Sequence, residues 1–240
     1  MSGEPILSVQ GLCAWYGAAQ ILFDLDLQVG RGEVVALMGR NGAGKSTTLK
    51  SIMGLVGRRR GAVCFDGHDI SVAEPFRIAR LGLGFTPEDR RIFSDLSVLE
   101  NLDVGRQPPR EAARSAAWTP ERLFALFPNL AERRDRLGSE MSGGEQQMLT
   151  VARTLMGNPL AVLLDEPSEG VAPLIVEQMA DTILELKQQG LSILLSEQNI
   201  HFAALVSDRV YVLEKGHIGW HGGMAALLDD GDLQRAFLTV

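Results

Sequence analysis

Glu33-Val34-Val35-Ala36-Leu37-Met38 runs directly into Gly39-Arg40-Asn41-Gly42-Ala43-Gly44-Lys45-Ser46-Thr47, and Thr48-Leu49-Lys50-Ser51-Ile52-Met53 follows. The first stretch is a short apolar run that reads as a buried strand. The last reads as the opening of a helix. A GxxxxGKST loop between strand and helix is a phosphate site rather than a chance glycine-rich turn. Gly39, Gly42 and Gly44 let backbone N–H groups crowd around an anion with no side chain in the way. The helix N-terminus adds its dipole. Lys45 supplies a point charge between β- and γ-phosphates, and the Ser46 hydroxyl is a ligand for Mg²⁺.

A second apolar run, Leu160-Ala161-Val162-Leu163-Leu164, has the pattern of a strand buried on both faces. Asp165-Glu166-Pro167 ends it. Carboxyl ends of strands in open α/β sheets are where ligands bind. Asp165 is expected to hold Mg²⁺ through water, and Glu166 to polarise an attacking water, as a carboxylate in hydrogen-bond reach does. Alone, Asp-Glu-Pro reads equally well as a solvated acidic turn. Beside the phosphate loop it reads as a metal and catalytic pair.

The bulk numbers set the frame. A chain of 240 residues makes one domain with room for an inserted lobe. An apolar content of 45% is that of a soluble globular protein. No window approaches the roughly 18 apolar residues of a membrane helix, and Met1-Ser2-Gly3-Glu4-Pro5 lacks the pattern of a secretion signal. A net charge of −7 argues against nucleic acid as a partner. Cys13 and Cys64, without CxxC spacing, are expected to be small buried thiols in a reducing compartment. A soluble, cytoplasmic chain follows, with any membrane role supplied by a partner.

Met141-Ser142-Gly143-Gly144-Glu145 precedes a helical pattern from Gln146 to Leu155. With the phosphate loop and the Asp-Glu strand in this order and spacing, it resembles the signature of the ATP-binding cassette (ABC) ATPases. The resemblance covers about Ile6 to Gly223. It implies an α/β fold: a P-loop NTPase core sheet, an antiparallel β subdomain and an inserted helical subdomain. The expected division is 1–87 and 156–240 for the core with its β subdomain, and 88–155 for the helical part. It further implies that Ser142, Gly143, Gly144 and Glu145 hold the γ-phosphate of ATP bound to an opposite subunit. Thr86-Pro87-Glu88-Asp89-Arg90-Arg91-Ile92-Phe93 and Asp165-Glu166-Pro167-Ser168-Glu169-Gly170-Val171-Ala172-Pro173 look like the ATPases of branched-chain amino acid importers, with urea and short-amide importers similar as well.

Further site residues come from the family one at a time. Tyr16 matches the aromatic that stacks on adenine, with a core-covering strand end as the competing reading and Trp15 on the opposite strand face. Glu88 stands where many members have a glutamine that contacts Mg²⁺ and senses the γ-phosphate. Gln198 stands at the switch histidine; it can donate a hydrogen bond but cannot become a cation near neutral pH. His201 reads as a surface or packing residue. Ala172-Pro173 replaces an aspartate often found after the catalytic glutamate, which puts crosstalk between two ATP sites through that loop in doubt.

Along the chain, Ile6–Val9, Val34–Met38 and a strand near Ala62–Phe65 are expected to suit the antiparallel subdomain. Leu123, Phe124, Leu126, Phe127 and Leu130 fall at helical spacing as a core stripe. Arg58-Arg59-Arg60 reads as a solvated turn, and Arg90-Arg91 and Arg133-Arg134 as solvated faces. Val210–Ile218 reads as a hairpin turning at Lys215-Gly216. Met224 to Val240 reads as one amphipathic terminal helix. The implied function is an ATPase subunit of an importer, peripheral on the inner face of the cell membrane. Its cofactors are ATP and Mg²⁺. Its expected partners are transmembrane permease subunits docking on Glu88–Asn101, a second ABC ATPase (identical or paralogous) and, indirectly, a solute-binding protein. A soluble non-transport ABC ATPase, a P-loop kinase or GTPase, and a regulatory nucleotide-binding module are the rivals. A GTPase would carry Asn-Lys-x-Asp, which is absent.

Overall fold

The computed structural model describes residues 3–109 and 117–237, among which are ten strands and ten α-helices. In chain order the strands are β1 (Leu7–Tyr16), β2 (Ala19–Val29), β3 (Val34–Met38), β4 (Arg58–Phe65), β5 (His68–Asp69), β6 (Leu83–Thr86), β7 (Ala161–Asp165), β8 (Ser192–Glu197), β9 (Arg209–Glu214) and β10 (His217–Gly223). The helices are α1 (Lys45–Ile52), α2 (Pro75–Leu81), α3 (Val98–Val104), α4 (Pro120–Leu126), α5 (Pro128–Ala131), α6 (Gly143–Leu155), α7 (Pro173–Gln188), α8 (Ile200–Val206), α9 (Met224–Asp229) and α10 (Gly231–Phe237).

Two sheets form, with different chemistry. The larger has the order β10-β9-β3-β8-β7-β6; its strands run parallel from β9 to β6, and β10 is antiparallel at the edge. Every residue of β3, β7 and β8 is buried, as parallel strands covered on both faces must be. Alternation along them divides the core. Val35, Leu37, Leu163 and Leu194 pack with α1 and the second sheet. Val34, Val162, Leu164, Ile193 and Leu195 pack with α6, α7 and the residues of the helical lobe. The second sheet, β2-β1-β4-β5, is wholly antiparallel.

β3 belongs to the parallel sheet, because its five residues are buried on both faces; the long β2 takes its place in the antiparallel one. Arg58, Arg59 and Arg60 begin β4 rather than forming a solvated turn. Arg58 lies over the Trp15 ring and Arg59 donates to the carbonyls of Gly54, Val56 and Ala73. The terminal helix is two helices, broken at Asp230, whose backbone is extended and whose side chain accepts from the N–H groups of Asp232 and Leu233; residues 238–240 of that expectation lie outside the described residues. Cys13 is buried as expected, whereas Cys64 is only half-buried.

The β9–β10 hairpin does turn at Lys215-Gly216, and the backbone says why. Gly216 has φ 83°, and a Cβ there would lie 2.0 Å from the Ile21 carbonyl oxygen. In the helical lobe Leu123, Phe127 and Leu130 are buried, and Phe124 and Leu126 pack partly buried beside them. Truncating the fully buried Phe127 to alanine should cost about 3–5 kcal/mol of stability by transfer and cavity terms. Urea unfolding of Phe127→Ala measures it, and a loss under about 1 kcal/mol would remove Phe127 from the core.

Candidate functional site

The carboxyl ends of β3, β7 and β8 finish level. Asp165 pairs with Ser196, Ser196 with Leu37, and Glu197 with Met38. The phosphate loop leaves β3 at this lip and enters α1, whose cap residue Gly44 sits at φ 113° with no side-chain capping bond. A Cβ on Gly44 would press to 2.8 Å from Leu22, so the backbone lies against β2 where a side chain will not fit. The first-turn N–H groups of α1 are therefore turned toward whatever lies outside the loop. Lys45 is 3% exposed, donates to the carbonyls of Gly39 and Arg40, and pairs with Glu166 at 3.0 Å.

Asp165 is fully buried, and one of its oxygens accepts from both the Ser46 hydroxyl at 2.9 Å and the Ser196 hydroxyl at 2.7 Å. Its other oxygen is buried with no partner. Burial pushes the carboxyl above its ordinary range, against the pull of the two hydroxyls. A buried carboxylate oxygen without a hydrogen bond is costly unless something supplies charge. A hydroxyl and an under-satisfied carboxylate side by side fit a hard divalent cation, which takes one or two carboxylates and completes its shell with water and phosphate oxygens. Among the described residues no cluster of three or more His, Cys, Asp or Glu could hold a metal ion.

Glu166 follows Asp165 with φ 48°, a conformation that costs a non-glycine residue about 1–3 kcal/mol. Its N–H is held by the Ser196 carbonyl at 3.1 Å and hydroxyl at 3.2 Å. Burial opposes its ionisation, but hydrogen bonds from Glu169 and Lys45 and the Lys45 charge outweigh it and hold the carboxyl below its usual value. Glu169 carries the complement: its hydrogen bond to Glu166, then burial and the charges of Glu166 and Glu88, push it up to about 7. Asn41, Gly42, Gly44, Lys45, Ser46, Thr47, Glu88, Glu166 and Glu169 line one cleft of about 440 Å³, walled by Ile21. A larger cleft of about 670 Å³, between β2 and β10, holds none of these residues.

The Met141–Glu145 segment begins α6. Ser142 accepts from the Glu145 N–H, and the Glu145 carboxylate accepts from the Ser142 N–H at 2.8 Å, a capping box. Ser142 is exposed, while Glu145 is turned inward and ion-paired to Arg133 at 2.6 Å. Arg133 is thus not part of a solvated face. Nor is Arg90: a Cβ on Gly143 would lie 2.7 Å from its guanidinium, and its carbonyl, at φ 61°, accepts from Thr150. Arg91 does stay at the surface, paired with Asp89.

The remaining expected residues lie at the rim. Tyr16 is 51% exposed at the β1–β2 turn, so it does not cover the core, and it is not among the residues lining the 440 Å³ cleft. Trp15 sits on the other strand face under Arg58. Gln198 is exposed, one residue past β8, and His201 is exposed in the first turn of α8. In the segment Glu88–Asn101, Phe93 is exposed beneath Arg153. Asn101 is not part of that surface: it is buried and clamps Phe93, Leu96 and Ser97. Sequence reasoning assigned no role to Ser196, Glu197 or Glu169. The first two carried the signal used for Asp165-Glu166, polar residues ending a buried apolar run.

Protonated Glu169 donates to Glu166, and above pH 7 the pair holds two charges against one lysine. A carboxyl raised in the folded state adds stability below its unfolded value, and that stability is lost as pH rises through the folded value. The wild-type melting temperature should therefore fall, relative to Glu169→Gln, as pH is raised from 5 to 8, with its inflection near 7. Parallel melting curves across that range would remove the shared proton.

Residues 22–169 match the family model described as ABC transporter. The chain is 39% identical over 233 residues to the high-affinity branched-chain amino acid transport ATP-binding protein BraG of Pseudomonas aeruginosa, covering 97% of this chain and 99% of that protein. It is 35% identical over 234 residues to the lipopolysaccharide export system ATP-binding protein LptB of Escherichia coli, covering 97% and 96%. A solved ATP-binding cassette of an ABC transporter in its ADP conformation superposes with a TM-score of 0.79 at 28% identity, covering 96% and 97%. A phosphate loop, an Asp-Glu strand end and a capped Ser-Gly-Gly helix thus occur in one cassette fold shared over the whole chain, and the protein is an ATPase of the ABC transporter family.

Proposed function

We propose that this chain is the ATP-hydrolysing subunit of an importer for branched-chain amino acids, working through separate transmembrane permease subunits. The observation that carries the reading is the end-to-end similarity to BraG, together with an acidic strand end set against the phosphate loop. Two cassettes, identical or paralogous, close head to tail. Each ATP is held by Gly39 to Thr47 of one chain, with Tyr16 stacking on adenine, and by Ser142, Gly143, Gly144 and the helix that Glu145 caps in the other. Ser46, Asp165 and Glu88 would hold Mg²⁺, which would neutralise charge on the phosphates. Phosphate oxygens draw Lys45 away from Glu166, so the same event that binds ATP frees the base. Glu166 then orients and deprotonates water, and Gln198 donates to the γ-phosphate.

The exposed part of Glu88–Glu100, with Phe93 at its centre, is the docking surface for the permease. Among the described residues no helix is long and apolar enough to cross a membrane, so attachment to the inner face of the cell membrane comes through that partner. A solute-binding protein enters the complex only indirectly, and nucleic acid has no place in it. A second reading, an export ATPase, is favoured by the similarity to LptB. Import of urea or short amides is the alternative to branched-chain amino acids, because solute selectivity is assigned to the membrane and solute-binding partners.

Glu166→Gln should lower ATP turnover by about 10²-fold or more, the scale of a lost general base, while nucleotide binding remains; full turnover would refute the assignment. Mild solubilisation and mass spectrometry of a tagged chain decide between readings. Two polytopic permeases, a second cassette and an amino-acid-binding protein are expected. Recovery with lipid-export components would establish the second reading, and recovery from the soluble fraction alone would reject transport.

A further inference from the structure

Glu197 ends β8 with 2% of its surface exposed, and it belongs to no ion pair among the described residues. One carboxylate oxygen accepts from the Ser168 N–H at 3.1 Å. The other accepts from the N–H groups of Gln198 at 3.0 Å and Asn199 at 3.1 Å. Ser168 lies two residues beyond Glu166; Gln198 and Asn199 open the next loop. Burial pushes this carboxyl above its ordinary range, against the pull of the Ser168 hydroxyl and of the three N–H groups. A buried carboxylate without a cation is costly, and an apolar residue at a strand end would avoid that cost. What the carboxylate offers instead is acceptor capacity only, on two oxygens at once. Three N–H donors from two separate loops converge on it, and no other side chain of this size can accept from both directions.

We propose that Glu197 is a positioning residue for hydrolysis, a latch that fixes the loop bearing Glu166 against the loop bearing Gln198. The proposal rests on the roles of Glu166 and Gln198 given above. Glu166 holds a φ of 48°, and such strain persists only where surroundings over-determine it. Ser196 grips the Glu166 N–H, and Glu197 grips the same loop two residues on. Beyond Gln198, Asn199 caps α8 by accepting from His201 and Phe202, so the latch is anchored in a helix. Ala172, the residue before α7, makes no side-chain capping bond. The loop is therefore tied within its own chain by Glu197.

Glu197→Gln keeps the size but turns one acceptor into an amide that faces N–H donors. Steady-state hydrolysis should show kcat reduced by about 10- to 100-fold, the scale of a misplacement near 1 Å, with KM for ATP almost unchanged. In a Gln198→Ala background the same substitution should cost less, because part of its effect has already been removed. Unchanged kcat, or a rise in KM with kcat kept, overturns the latch. Glu166→Gln assayed in parallel separates the two claims: an active Glu166→Gln enzyme sinks the base, whereas an inactive one beside a fully active Glu197→Gln enzyme sinks only the latch. If Glu197→Gln does not fold, amide exchange on the wild-type chain decides. Ser168, Gln198 and Asn199 should be protected to a similar degree, and fast exchange at Ser168 alone refutes the tie.

Discussion

The parallel register of β3, β8 and β7 is the constraint on which the site depends. It brings Met38, Glu197, Ser196 and Asp165 to one lip, and each chemical group follows from that alignment. β3 stops there, so its loop turns across the ends of its neighbours and α1 starts with Ser46 within 2.9 Å of Asp165. β8 stops there, so the Ser196 hydroxyl reaches Asp165 and its carbonyl reaches the Glu166 N–H. A slip of one residue in any of these strands would turn its polar terminus to the opposite face. The uninterrupted burial of Val34–Met38, Ala161–Asp165 and Ser192–Glu197 opposes such a slip.

Stability is given up at this lip. It holds a buried lysine and glutamate in contact, a buried aspartate with one bare oxygen, a buried glutamate without a cation, and a glutamate at positive φ. Breaking a buried pair by removing one partner leaves a charge stranded, so Lys45 and Glu166 stabilise each other only while nothing better is present. A polyphosphate is a better partner for Lys45, and a cation is a better one for the bare Asp165 oxygen. The apolar sheet below meets these costs with burial on both faces, which is why the strained groups sit at its edge and none in its interior.

Much of this was legible in the residues. The glycine loop, the Asp-Glu terminus and the Ser-Gly-Gly helix start are local patterns, each with its own chemistry at fixed spacing, and their order implied the cassette. What escaped was non-local. Nothing near Arg133 indicates that Glu145 is its partner, and nothing near Arg90 indicates that it covers Gly143; both look like ordinary charged pairs. Assigning β3 to the antiparallel sheet was an error of neighbourhood, since apolar runs do not reveal which strands they will join. The single terminal helix was an error of capping: Asp230-Gly231 is a break signal that a hydrophobic stripe on both sides disguised. Glu197 was passed over because a lone glutamate after a strand most often faces water.

The signature segment shows how a self-satisfied cap can still present a binding surface. Glu145 accepts from the Ser142 N–H and pairs with Arg133, so its charge is balanced within the chain. Ser142 Oγ accepts from the Glu145 N–H, which commits a lone pair inward and leaves the hydroxyl proton free to donate outward. The Gly143 face is open except where the Arg90 guanidinium lies against it, and Gly144 packs on Ile175 closely enough that a Cβ would sit 2.9 Å from it. The outward face of α6 therefore combines a hydroxyl donor, glycine amides, a helix dipole and a nearby cation, with its one acid withdrawn. A surface with that sign pattern attracts an anion and repels a carboxylate. The acidic β7 terminus of the same chain, with Glu88, Glu166 and Glu169 around one cleft, carries the opposite sign.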